Sequence, residues 1–346
     1  MIYLIALVLL FLISLESILL INSRKIGNAF SLVDIPDKIR KFHKHPVPLV
    51  GGLILCVIIL LNTIIFLFFD LILLDFQIIF FLSILTIFGI LDDKYNLNAN
   101  LKLVILTIFF TIFFLLNSNL LVSELRFSSF RYTFNFYEYL VFPFTIFCSL
   151  LLINSINMID GKNGLCGLTQ IIILSFLTYY IFKNQYYINQ ELDFLERELI
   201  FIYLYILYLS IFLIFNLKGK VFLGDSGAYL GSFIIIYLIL SIYSKNIFLN
   251  CEQIFFLLII PGIDMLRVFA IRIKNKKNPF KADAQHLHHL ISKKFKEHTK
   301  ITILISSSLI IPNLLINLFP KYTLLIFIFS ISFYMLTVKK LDNDKK

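Results

Sequence analysis

The sequence predicts an all-α integral membrane protein of about eleven transmembrane helices, on three observations. The hydrophobic fraction is 59% and the charged fraction 15%, where soluble domains run nearer half apolar and a quarter charged. The apolar residues fall in blocks of about 16 to 22, the length that carries a helix across ~30 Å of hydrocarbon. The basic residues alternate between successive connecting loops. Blocks this apolar must be helical, because lipid cannot satisfy an open backbone.

The blocks lie at 2–22, 49–69, 76–91, 101–117, 138–155, 164–182, 199–216, 226–243, 252–270, 301–318 and 322–338. The first has neither a basic leader nor a small-residue cleavage signature, so it reads as a retained span. No internal repeat or soluble domain interrupts the series. Residues 1–346 are expected to form one polytopic domain, with the motif-bearing region at about 30–295.

Charge sets the expected orientation. The loops at 23–48, 92–102, 156–163, 217–225 and 271–300 and the tail 339–346 hold 24 of the 31 Lys and Arg residues, the alternate loops hold 6, and Arg267 lies in a span. Basic loops face the cytoplasm. The amino terminus is therefore expected outside, and the carboxyl terminus and all the reactive-looking loops inside. The formal charge of +10 belongs to this pattern and gives no reason to expect nucleic acid. The four cysteines show no disulfide or metal-type pairing.

Five inward loops carry the chemistry. The first, DIPDKIRKFHKHPVPLVGGL (34–53), is basic, with Lys41 and His43 among its cations and Gly51-Gly52 at the mouth of the second span. Arg and Lys suit phosphate, though anchoring on anionic headgroups explains them equally. The glycine pair allows close helix packing. The second, GILDDKYNLNANLKL (89–103), places Asp92 and Asp93 at the negative end of a span. Two adjacent carboxylates there need a proton or a cation. Neighbours on a helix point apart, so different roles are expected. The alternative is a solvated helix end.

The third loop, NSINMIDGKNGLCGL (154–168), carries Asn157 and Asp160, three apart and expected on one helical face, followed by Asn163. Turns explain its glycines but not amides and a carboxylate emerging from an apolar run. In the fourth, FNLKGKVFLGDSGAYLGSF (215–233), Asp225 sits among glycines at the start of a span. That setting suits a hard cation, a phosphate, or a simple helix cap. The fifth, RIKNKKNPFKADAQHLHHLI (272–291), holds His286, His288 and His289. With Lys and Arg around them and no cysteine near, these fit phosphate binding or proton transfer better than zinc. The four loops that carry the Asp pair, the Asn-Asp cluster, the glycine-flanked Asp and the histidines together describe a site for a magnesium-bound, phosphate-bearing, water-soluble substrate beside lipid.

These motifs, in this order, resemble the polyprenyl-phosphate N-acetylhexosamine-1-phosphate transferases, which include the bacterial undecaprenyl-phosphate GlcNAc-1-phosphate transferase (glycosyltransferase family 4). The resemblance covers about residues 30–295. It implies Mg2+-dependent transfer of a hexosamine-1-phosphate, GlcNAc-1-phosphate first, from a UDP-sugar to undecaprenyl phosphate, with UMP released and a cell-envelope polysaccharide such as O-antigen begun. Manganese is an alternative metal, another UDP-hexosamine an alternative donor, and a homodimer is left open. The implied location is the bacterial inner membrane.

By motif position, Asp225 and Asn157 match the metal site, and Asp92 and Asp93 the aspartate pair, Asp92 as the base. Asp160 and Asn163 match the nucleotide-sugar pocket. His286, His288 and His289 match the phosphate- and sugar-contacting motif, and Lys41 and His43 the loop that meets the lipid phosphate. One departure is Ala284, where close relatives often carry Arg. A membrane transporter fits less well, because only Glu16, Asp264 and Arg267 lie inside spans rather than at their first residues, and no repeat is visible. A catalytically dead scaffold fits less well because every acidic motif residue is present.

Overall fold

The computed structural model describes residues 2–36, 45–129, 131–184, 192–244, 249–278, 285–295 and 297–343. Its helices are α1 (Ile2–Ile21), α2 (Ser23–Phe30), α3 (Gly51–Leu67), α4 (Phe76–Tyr95), α5 (Ala99–Leu116), α6 (Glu138–Ile159), α7 (Leu165–Asn184), α8 (Leu192–Asn216), α9 (Gly224–Ser244), α10 (Cys251–Leu257), α11 (Ile259–Lys274), α12 (Leu287–Lys294), α13 (His298–Leu318) and α14 (Thr323–Asn343). Two short antiparallel strand pairs accompany them. β1 (Val33–Asp34) runs against β2 (Val47–Pro48) with Asp34 opposite Val47, and β3 (Glu124–Phe127) against β4 (Tyr132–Asn135).

Each predicted block falls on a helix, and nine of the described helices are long and apolar enough to cross a membrane. The other two blocks differ in form. α3 has only 17 residues. The block 252–270 is broken, with α10 and α11 meeting at 78°. Pro261 explains the break. It has no N–H to give the Leu257 carbonyl, and its ring would strike that carbonyl in a continuous helix. In the first turn of α11 the same proline is tolerated.

α9 is the hub. From Ser226 to Tyr243 every residue is buried, and α3, α4, α6 and α7 pack around it. Small residues make this possible. A Cβ on Gly52 would run into the Gly227 backbone, and one on Gly89 into Ser226. Both helices therefore approach α9 at backbone distance, as the Gly51-Gly52 pair suggested. The N–H groups of Gly51 and Gly52 donate to the Phe222 and Leu223 carbonyls at 3.0 and 2.9 Å. This fixes the fourth loop against the mouth of α3.

The rim helices α1 and α14 leave large apolar side chains such as Leu7 and Phe329 exposed, as lipid-facing helices do. At the far end of α9, the Arg126 guanidinium lies 4.1 Å from the centre of the Tyr243 ring and ties the β3–β4 hairpin down. Tyr132, Tyr137 and Tyr139 are exposed there, in the manner of an interfacial aromatic belt.

Candidate active site

The acidic motifs meet at the amino-terminal end of α9. Gly224 adopts φ +75° and turns the chain into the helix. A Cβ there would press on the Asp93 carboxylate, 2.5 Å away. Asp93 Oδ1 accepts the N–H of Asp225 at 2.8 Å, and Oδ2 that of Ser226 at 3.1 Å. Asp93 thus caps α9 from a neighbouring helix, supplying acceptors to N–H groups that the helix itself cannot satisfy and negative charge to its positive end.

Asp92 points elsewhere. It is 1% exposed. Its Oδ2 lies 2.6 Å from Lys102 Nζ and accepts the Tyr229 hydroxyl at 3.2 Å. The same Lys102 Nζ lies 3.2 Å from Asp225 Oδ2. One ammonium therefore bridges two carboxylates from α4 and α9, with a third carboxylate, Asp93, at the same helix end. The two adjacent aspartates differ in setting: one caps a helix, and the other is half of an ion bridge. They lie within the last turns of α4, which runs on to Tyr95, and not in a solvated loop.

Asn157 and Asp160 do not share a helical face, because α6 ends at Ile159 and Asp160 leaves it with ψ 61°. The turn still brings both to one cavity wall with Asp225. Burial, and then the nearby Asp225 carboxylate, push Asp160 up to about 7, so near neutral pH it carries a proton part of the time. Asn163 is held through its backbone, whose carbonyl accepts the Thr302 hydroxyl at 2.9 Å. Asn216 braces the third and fourth loops, accepting the Gly164 N–H and donating to the Val221 carbonyl at 2.7 Å.

The histidines approach from the other side. α12 begins at Leu287, so His286 is its N-cap residue and not part of a helical face with His289. His286 Nδ1 lies 2.8 Å from Asp264 Oδ2. His288 is buried against Gly161, where a Cβ would strike its ring. Burial first, and then His289 and His286, hold its imidazole well below the usual range. It is therefore a neutral ring. Lys41, His43 and Ala284 lie outside the described residues.

Two cavities flank Asp225. The first, about 540 Å³, is lined by Asp34, Asp93, Lys162, Asn163, Phe222 and their neighbours. The second, about 730 Å³, is lined by asparagines including Asn96, Asn98, Asn154 and Asn157, with Lys102, Arg272 and the three histidines. Asn96, Asp160, Gly161, Asp225 and His289 line both.

Sequence reasoning missed Lys102, which registered only as inward charge. It noted Asp264 and Arg267 as ionisable residues in a span without finding their partner, and Tyr334 gave no signal. Among the described residues no three His, Cys, Asp or Glu side chains form a ready metal cage. Magnesium needs fewer protein ligands, since it keeps waters and takes substrate phosphate oxygens. The gap between Asp92 and Asp225 already holds a cationic group, so its donor set fits a hard cation.

The fold and this site define a polytopic membrane protein with a cation-demanding polar centre at one end of its bundle. Comparison with known proteins narrows the class. The family described as glycosyl transferase family 4 matches residues 76–243. The chain is 25% identical over 287 residues to the undecaprenyl-phosphate alpha-N-acetylglucosaminyl 1-phosphate transferase of Salmonella typhi, covering 80% of this chain and 73% of that relative. Its counterpart in Escherichia coli K12 is 24% identical over 286 residues, with 80% and 73% covered. That of Pasteurella multocida is 40% identical over 78 residues, 22% of each chain. Over residues 76–243 the chain is similar to glycosyl transferase family 4, and this similarity together with that to the curated transferases supports an enzyme of the phosphotransferase type.

Proposed function

We propose that this enzyme transfers an N-acetylhexosamine-1-phosphate, GlcNAc-1-phosphate first, from its UDP-sugar to undecaprenyl phosphate at the cytoplasmic face of the bacterial inner membrane, opening a cell-envelope polysaccharide. One observation carries the reading. Asp92, Asp93, Asp160 and Asp225 gather with Lys102 at the amino-terminal end of a buried helix, between two polar cavities. The acceptor phosphate cannot leave the headgroup plane, so the chemistry must be done there. The 24-to-6 split of basic residues supports a cytoplasmic site, where nucleotide sugars are found.

In this reading the nucleotide lies in the first cavity along Asp160 and Asn163, and the sugar phosphate reaches the amides and histidines of the second. The phosphorus joined to the sugar then sits by the shared wall at Asp225 and His289. An oxygen of the lipid phosphate attacks that phosphorus, the bond to the bridging oxygen breaks in line, and UMP leaves with that oxygen. The proton lost from the lipid phosphate goes to Asp92, the pair member whose oxygens are not committed to capping α9. Asp225 and Asn157 would hold magnesium, which when bound neutralises charge on the pyrophosphate. Lys102 balances the carboxylates and supplies a mobile positive charge to the incoming phosphates. His286, His288 and His289 orient the donor, and Lys41 and His43 meet the lipid phosphate.

Sealed vesicles test substrates and sidedness together. Inside-out vesicles given UDP-GlcNAc, undecaprenyl phosphate and magnesium are expected to release UMP, and sealed right-side-out vesicles to release none. A panel of UDP-hexosamines in the same assay identifies the donor. UMP release independent of lipid phosphate, or equal from both orientations, contradicts the proposal.

A further inference from the structure

The sugar-facing histidine loop is held by groups that lie behind it, outside the five motifs. Asp264 Oδ2 meets His286 Nδ1 at 2.8 Å, and Asp264 Oδ1 accepts the Leu287 N–H at 3.0 Å. One carboxylate therefore grips both the ring of His286 and the first amide of α12. Arg267, one turn further along α11, donates from Nη2 to Asp264 Oδ1 at 2.9 Å and to the Gln285 carbonyl at 2.6 Å. Tyr334, on α14, closes the network. Its hydroxyl donates to Asp264 Oδ1 at 2.7 Å and accepts from Arg267 Nε at 2.7 Å. Asp264, Arg267, His286 and Tyr334 are all buried.

We infer that Asp264, Arg267 and Tyr334 are positioning residues for the donor-binding histidine His286, so that the last membrane helix sets the geometry of the sugar-phosphate cavity. The inference rests on the reading above that this cavity takes the donor. An ionic cluster in an apolar bundle is weak evidence for stability alone, because apolar side chains of similar volume often serve as well. What this cluster adds is direction. A carboxylate at Nδ1 places the ring proton there and turns Nε2 the other way, towards Arg272 at 3.5 Å and the second cavity, which His286 and Arg272 both line. Arg267 fixes the backbone one residue before His286, and Asp264 the backbone one residue after. The imidazole is thus clamped on both sides and at its ring.

The mildest break is Tyr334→Phe, which keeps the ring and removes one hydroxyl. In the purified full-length enzyme we expect the KM for the UDP-sugar to rise about tenfold, the lower end for loss of a group that orients a ligand, with the KM for undecaprenyl phosphate unchanged within twofold. Independently of turnover, hydrogen exchange of the peptide spanning 286–291 should speed up at least tenfold, while peptides from α9 keep their protection. Asp264→Asn should show both effects more strongly if it folds. Unchanged exchange at 286–291 overturns the clamp. Faster exchange with an unmoved donor KM makes the network purely structural and overturns the positioning role. A wild-type enzyme with no turnover on any UDP-hexosamine overturns the functional reading and the inference with it, and is told apart because it fails before any variant is compared.

Discussion

Asp225→Asn is expected to lower sugar-phosphate transfer by about 10³-fold, the upper range for removing one preorganised electrostatic contact, in a protein that still folds. Asparagine keeps the volume and one carbonyl oxygen, so packing at the start of α9 survives. Folding loses little, roughly 0.3–1 kcal/mol for a carboxylate in the first turn of a helix. The loss falls on the charge balance. With Asp225 neutral, the Lys102 ammonium 3.2 Å away keeps only Asp92 as its carboxylate partner at 2.6 Å, and the site no longer demands a second cation. Initial rates over a magnesium series, with the melting temperature as a folding control, check this. Activity within tenfold of wild type at every magnesium concentration would remove Asp225 from the cation site.

Asp92→Asn is expected to reduce the rate by about 10²–10⁴-fold, the usual contribution of a general base. Part of that loss should return as pH rises, because the lipid phosphate then loses its proton to solvent unaided. Asp93→Asn separates the pair. Its carboxylate accepts two N–H groups of α9, so its removal should lower the melting temperature and shift the catalytic pH profile little. An Asp92→Asn loss below about tenfold, or one equal at every pH, argues against the base assignment.

Much of the fold was legible because hydrocarbon thickness imposes one block length, and each block fell on a helix. The bend at Leu258 was not, since hydropathy averages over Pro261 and Gly262 as it would over any mixed apolar stretch. The β3–β4 hairpin was not read either, lying in a connector too short and mixed to show a strand period. At the site, Asp92, Asp160 and Asp225 were found from their unusual placement at span ends, and Asn163 and His289 from the motifs of their loops; the structure brings all five to one cavity. Lys102 escaped because a lysine at the mouth of an inward span is ordinary topological charge. Its role depends on an aspartate 123 residues further on. The clamp on His286 joins residues 22 and 70 positions apart. No local pattern encodes such pairings, since the helices that carry them meet only through their packing.

The most direct test of the central reading is the fate of the donor's second phosphate. UDP-GlcNAc carrying ³²P in the phosphate bonded to the sugar and ³H in the sugar is given to the purified enzyme with undecaprenyl phosphate and magnesium. The account predicts both labels in the lipid fraction in equal molar amounts, and unlabelled UMP released in the same amount. Tritium entering lipid without ³²P, with UDP as the leaving group, would make this a simple glycosyl transfer and contradict the account.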